Sequence, residues 1–106
     1  MSNPTNLLDT ERVRRETARW YILLFLYNGR PVGASEPMIL GTMHEIQRDI
    51  TQTEVRQHLD YLADRELIDL ERHDGQPWHA RLSWHGVDFV EYTIDGLPGI
   101  ARPAKG

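Results

Sequence analysis

The stretch from Thr51 to Gly86 predicts a mainly α, α+β domain, and three observations carry the prediction. A capped segment with apolar residues three and four apart reads as an amphipathic helix. Two short alternating runs joined through Asp74-Gly75 read as a β-hairpin, and Ser83 then opens another helix. Preceded by two further helical segments, this order is the layout of a winged helix-turn-helix, about four helices with a two-stranded β wing.

The elements follow in order. Residues 1–6 are polar and Pro-containing, and a frayed start is expected over residues 1–8. Helix one begins near Leu8 or Asp9 and runs to about Tyr27, where Asn28-Gly29-Arg30-Pro31 stops it. Its charged first half, Glu11 to Arg19, projects along a surface or against a partner subunit. Its apolar second half places Trp20, Ile22, Leu23, Leu24, Leu26 and Tyr27 where they are surrounded on most sides. Helix two starts after Ser35, tolerates Pro37 in its first turn, and carries Met38, Ile39, Thr42, Met43 and Ile46 inward. Gly41 costs it some stability.

Gln47 to Ile50 form the turn before the third helix, about 52–65. Thr51 caps that helix, Glu54 reaches back to the Thr51 amide, and Ile50 is the outer half of a hydrophobic staple. Val55, Leu59, Leu62 and Ala63 make its core stripe, leaving Gln52, Thr53, Arg56, Gln57 and Asp60 outside. Leu67 to Arg72 is a strand with Ile68 and Leu70 on one side, His73 to Pro77 turns, and Trp78 to Leu82 returns. Arg30-Pro31-Val32 could add a short strand beside them. The last helix, near 84–93, offers Val87, Phe89, Val90 and Ile94 before Asp95-Gly96 ends it. Residues 9–95 therefore make one domain, and the Pro/Gly-spaced residues 96–106 an extended C-terminal arm.

Composition narrows the function. A chain of 106 residues, 40% hydrophobic, supports one core and not two. The net charge of −4 argues against coating nucleic acid non-specifically, since that mode rests on many Lys and Arg contacts to phosphate, but leaves room for a local basic face. The absence of cysteine removes disulfides and thiolate metal sites and suits a cytoplasmic location. The longest apolar run, Trp20 to Tyr27, is too short to span a bilayer, and the N-terminus lacks the basic start of a signal peptide.

The segments Thr51–Ile68, Arg81-Leu82-Ser83-Trp84-His85-Gly86 and Gly96-Leu97-Pro98-Gly99-Ile100-Ala101-Arg102-Pro103 resemble a family of small winged-helix proteins of Mu-like bacteriophages and prophages. The resemblance covers about residues 11–103. Its most particular element is the Gly-hydrophobic-Pro-Gly-hydrophobic-x-Arg-Pro tail, whereas the helix and wing are similar to many regulators of the ArsR and MarR groups. It implies a DNA-binding, regulatory role assigned mostly by fold. One departure is Arg65-Glu66-Leu67, which stands where many winged helices place a Gly to end the recognition helix.

For DNA reading, Arg56 can take guanine O6 and N7 with two bonds, and Gln52 or Gln57 can do the same for adenine. Thr51 and Thr53 can hold phosphate at the helix N-terminus, and Arg72, His73 and Arg81 are the wing's candidates for backbone contact. Opposing them are Glu54, Asp60, Asp64, Glu66 and Asp74, which make the same surface acidic and favour an alternative, a protein-interaction module without DNA binding. Arg12, Arg15 and Arg19 share a helical face that could contact phosphate or bridge subunits, diluted by Asp9, Glu11 and Glu16. A homodimer through helix one and the last helix is expected, since small regulators read paired half-sites, with Trp20, Trp84, Phe89 and Tyr92 as possible anchors. His73, His79 and His85 recur every six residues, but alternation across a hairpin does not gather three imidazoles, so no metal is expected. No catalytic motif is present, and the expectation is a binding protein with no cofactor rather than an enzyme.

Overall fold

Among the described residues seven elements follow one another, α1 (Pro4–Asn28), β1 (Ala34–Ser35), α2 (Glu36–His44), α3 (Gln52–Asp64), β2 (Ile68–Glu71), β3 (His79–Leu82) and α4 (Trp84–Val90). The computed structural model of the chain describes the backbone of residues 4–105 and the side chains of residues 9–105. Residues 1–3 of the expected frayed start lie outside the described residues, and α1 already begins at Pro4, a residue whose fixed φ suits a first helical turn.

The strands form one antiparallel sheet in the order β1-β3-β2. The hairpin pairs Ile68 with Leu82 and Glu71 with His79, as the alternating pattern predicts. A third strand lies on the other side of β3, where Ala34 faces Ala80 and Ser35 faces His79. The two-stranded expectation is corrected here, and the added strand is Ala34–Ser35 rather than Arg30-Pro31-Val32. Two residues are too few to show a period in sequence. Gly33 makes the approach possible, because at φ +82 a side chain would be strained and its Cβ would overlap the Ala80 carbonyl and the Arg81 side chain.

Around the sheet and helices runs one core. Ile22, Leu23 and Leu26 of α1, Ile39 and Met43 of α2, Val55, Leu59 and Leu62 of α3, and Phe89 of α4 are all buried within it. Trp20 meets Phe89 edge-on, with ring centroids 6.1 Å apart at 70°. Two expected core residues fall outside: Met38 is 57% exposed and Ile46 is 41% exposed. Ile39 and Met43, four apart, already define the inward face of α2, and the helix ends at His44, so Ile46 falls in the turn beyond it.

Several ends are closed by specific bonds. The Thr51 hydroxyl accepts from the Glu54 amide at 3.1 Å, as expected, while the Glu54 carboxylate turns to Arg14 at 3.3 Å and toward the Thr51 hydroxyl. At the far end of α3 the chain turns through Glu66 at φ +61. The Leu67 amide bonds the Leu62 carbonyl and the Glu66 amide bonds the Ala63 carbonyl, the paired bonds of a Schellman turn, completed here without glycine. The Ser83 hydroxyl accepts from the Gly86 amide at 3.0 Å and donates to the Glu66 carbonyl at 2.6 Å, tying the start of α4 to the end of α3. Gly86 is required there, since a Cβ would overlap the Leu67 carbonyl.

The tail after α4 is irregular, as its Pro and Gly spacing predicts, but it is a strap laid on the core rather than a free arm. Ile100 is buried, and Arg102 donates to the Phe89 and Ile94 carbonyls at 2.9 and 2.8 Å. The Ala101 amide bonds the Glu16 carbonyl of α1, and the Tyr92 hydroxyl bonds the Pro103 carbonyl at 2.6 Å. Among the described residues no helix is long and apolar enough to cross a membrane.

Candidate nucleic-acid interface

The surface built by α3 and the β2–β3 loop is organised by one buried carboxylate. Glu36, at the first position of α2, is only 1% exposed. Arg56 of α3 grips it with two bonds, Nε to Oε2 at 2.5 Å and Nη2 to Oε1 at 2.8 Å, and the Trp78 amide adds a third at 3.0 Å. The Arg56 guanidinium also lies 4.4 Å from the centre of the Trp78 ring. With Arg56 first, then the Trp78 amide and Gln52, these donors overcome the cost of burial and hold the Glu36 carboxyl down at about 2. Glu36 thereby pins α2, α3 and the end of the β2–β3 loop to one another.

Arg56 is therefore not the free guanine reader that its position on the outer face of α3 suggests. Its Nε and Nη2, the donors of a bidentate base contact, are spent on Glu36. Gln52, exposed beside it, helps hold the same carboxylate. Thr51 is the exposed cap of α3, and Thr53 and Gln57 are exposed on its open face.

The basic side chains of the hairpin also stand beside carboxylates. Both Arg72 Nε and Nη2 reach Asp60 Oδ1 of α3, at 3.0 and 2.7 Å, and the guanidinium stands 5.6 Å from the Trp78 ring. His73 is 3.8 Å from Glu71. Arg81 is 3.9 Å from Asp69 across the hairpin and belongs to a different cluster, beside Arg30 and Trp84. Thr51, Gln52, Thr53, Arg56, Gln57 and Arg72 thus share one surface, and Arg81 stands apart from it.

The arginines of α1 also disperse. Arg12 pairs with Asp9 and Glu16 along its own helix, and Arg14 joins α1 to the start of α3 through Asp49 at 2.9 Å and Glu54. Gln47 donates to the Arg14 carbonyl at 2.9 Å, fixing the α2–α3 turn on α1. Arg19 runs under the tail, donating to the Gly99 carbonyl at 2.9 Å and stacking on Tyr61 at 3.5 Å, with Arg65 at 3.4 Å from the same ring. Two guanidiniums that close to one centroid must take opposite faces. Among the described residues, Arg15 and Arg48 are exposed and make no ion pair; Arg48 sits in the turn just before α3.

Sequence reading passed over Glu36, Arg48 and His58. His58 points into the core, 4% exposed, and burial first, then the charge of Arg19, pushes its imidazole down to about 4. Its position one residue before Leu59 was the available signal, since it borders the apolar stripe. Glu36 carries no such signal, because its partners lie 20 and 42 residues away. Among the described residues no three His, Asp or Glu side chains gather as metal ligands. No protein-family model, curated protein or solved structure matches the chain.

Proposed function

We propose that the chain is a winged helix-turn-helix protein that binds double-stranded DNA as a regulator, with α3 as the reading helix. The observation that carries this reading is the order α1-β1-α2-α3 followed by a β2–β3 hairpin, with α3 buried on one face and bearing Thr51, Gln52, Thr53 and Gln57 exposed at its N-terminal half. A helix N-terminus presenting short polar side chains suits a major groove and the phosphates beside it. In this reading the resemblance to Mu-like phage proteins supports a phage or prophage regulator that acts in the cytoplasm. It works by binding rather than by catalysis, and as a homodimer joined along α1, where Val13 and Tyr21 remain exposed. Trp20 and Phe89 are spent on the monomer core, so they are not anchors of that seam.

Within this reading the roles of the cations change. Arg56 is a positioning residue that sets α3 through Glu36. Arg48, just before α3, is exposed, makes no ion pair among the described residues and is free to meet a phosphate, whereas Asp60 engages the Nε and Nη2 of Arg72. Few phosphates are then neutralised, and the salt dependence is shallow: log K against log salt should fall with a slope of about −2 to −3, as for two or three contacts. Gel shifts on the upstream region of its own gene test this. Gln57→Ala should relax sequence preference and Arg48→Ala should weaken all sequences alike. No shift at low salt, or a slope of about −6 or steeper, would sink the reading.

A second reading is favoured by the ion pairs themselves. With Arg72 and Arg56 neutralised, Asp64 and the wing-tip Asp74 leave an acidic surface suited to a basic protein partner. Asp64→Arg discriminates, since Asp64 is exposed and its change leaves the Arg72–Asp60 pair intact. Stronger DNA binding by this variant supports the first reading, and loss of a protein partner, with no DNA binding by either parent or variant, supports the second.

A further inference from the structure

At the end of the β2–β3 hairpin away from the wing loop lies a pocket of about 470 Å³. It is lined by the buried Leu82 and Val87 together with Arg30, Arg81, Asp69 and Trp84. Trp84 is 83% exposed, the most open large apolar side chain among the described residues. Single exposed apolar residues are ordinary on a surface, but an open indole beside buried apolar side chains and two guanidiniums is the composition of a binding site.

We propose that this pocket binds a small monoanion that joins one carboxylate to a flat apolar body. The charge count sets the anion: Arg30 and Arg81 line the pocket with a single carboxylate, Asp69, leaving one positive charge there on a chain whose net charge is −4. The Arg81–Asp69 pair is loose at 3.9 Å and Arg81 is 54% exposed, so an edge of its guanidinium stays available. Arg30 is held in place without a carboxylate, donating from Nε to the Tyr27 carbonyl at 3.0 Å and stacking on the Tyr27 ring at 4.0 Å, which leaves its terminal N–H groups for a ligand. Leu82, Val87 and the Trp84 face supply the apolar contact, and an aromatic body fits the indole best. Two sources share this chemistry, a free aromatic acid and the carboxyl end of a peptide whose last residue is apolar. The site stands apart from α3, so it neither needs nor excludes the DNA reading.

The test uses the full chain, labelled with ¹⁵N, and follows the indole N–H resonance of Trp84, assigned with Trp84→Phe. The probes are 3-phenylpropionate, its neutral amide, and the acetylated dipeptide Gly-Phe with a free carboxylate. Saturable shifts with an acid, at least about tenfold weaker with the amide and weakened about tenfold or more in Arg81→Gln or Arg30→Gln, support the site. Whichever acid binds more tightly identifies the source. The proposal is overturned if neither acid shifts the resonance at concentrations on the order of 10 mM, if the amide binds equally, or if both arginine variants bind as the parent does. It is also overturned if Trp84→Ala turns a dimer into a monomer in sedimentation, since a second copy then covers the pocket. Both arginines are exposed, and an otherwise unchanged spectrum shows that the variants fold.

Discussion

A carboxylate that is 1% exposed is tolerable only where its charge is met, and at Glu36 the Arg56 guanidinium and the Trp78 amide meet it. Arg56→Ala should therefore cost about 2–3 kcal/mol in urea unfolding, somewhat below a fully buried pair because Arg56 is a third exposed. Adding Glu36→Gln to Arg56→Ala should recover part of that loss, because the stranded charge is gone. Additive losses would show that the pair is not what holds α2 to α3. The same coupling means that a DNA-binding defect in Arg56→Ala reports on folding as much as on base reading. Glu66 predicts the opposite sign. It occupies the left-handed region at φ +61, so Glu66→Gly should raise stability by about 1 kcal/mol, read from the shift of the urea midpoint at constant slope. The missing glycine at this turn was visible in the sequence. That the chain would nevertheless make the same turn was not, because the turn is held by the Ser83 hydroxyl, which donates to the Glu66 carbonyl from 17 residues away.

Among the elements, the C-terminal strap diverges most from expectation. Proline and glycine spacing excludes a helix there, but it says nothing of what lies beneath. The strap is held by Arg19 and Tyr61 at Gly99 and Pro98, by Glu16 at Ala101, and by Arg102 closing the carbonyls at the end of α4. Gly99 sits at φ +86 directly on the Tyr61 hydroxyl, where any side chain would overlap it. Ile100→Ala should lower stability by about 2 kcal/mol in thermal or urea unfolding, as for a buried aliphatic truncation, whereas a loosely attached arm would lose almost nothing. The distinctive sequence of this tail thus has a structural use that is independent of any ligand.

At the scale of the whole molecule, two buried ionisable groups set the response to acid. His58 has its pKa lowered from 6.5 to about 4, so above pH 6.5 both folded and unfolded chains hold it neutral and it costs nothing. As pH falls from 6.5 toward 4 only the unfolded chain takes the proton, and stability should decline by an amount on the order of 3 kcal/mol. Glu36, lowered from 4.5 to about 2, contributes stability that is full above pH 4.5 and is lost as pH falls toward 2. Urea unfolding across pH should thus show a decline that starts near 6.5 and continues below 4.5. His58→Leu should flatten the first part alone, and an unchanged slope in that variant would assign the decline elsewhere.

The sequence by itself determined the four helices, the hairpin and their order, because helix caps, the 3.6-residue stripe of α3 and the alternation of the hairpin are local signals read over a few residues. It also determined that the tail could not be helical, and its net charge of −4 argues against a basic coat on nucleic acid. Only the tertiary structure decided which cations are free. Arg56, Arg72 and Arg14 each find a carboxylate 12 to 40 residues away, and no local pattern encodes such a pairing. The third strand, the buried Glu36 and His58, and the pocket beside Trp84 have the same origin. Each exists because packing brings distant segments into one low-dielectric space or one concave surface, where charge and exposure take their meaning from neighbours that the sequence does not place side by side.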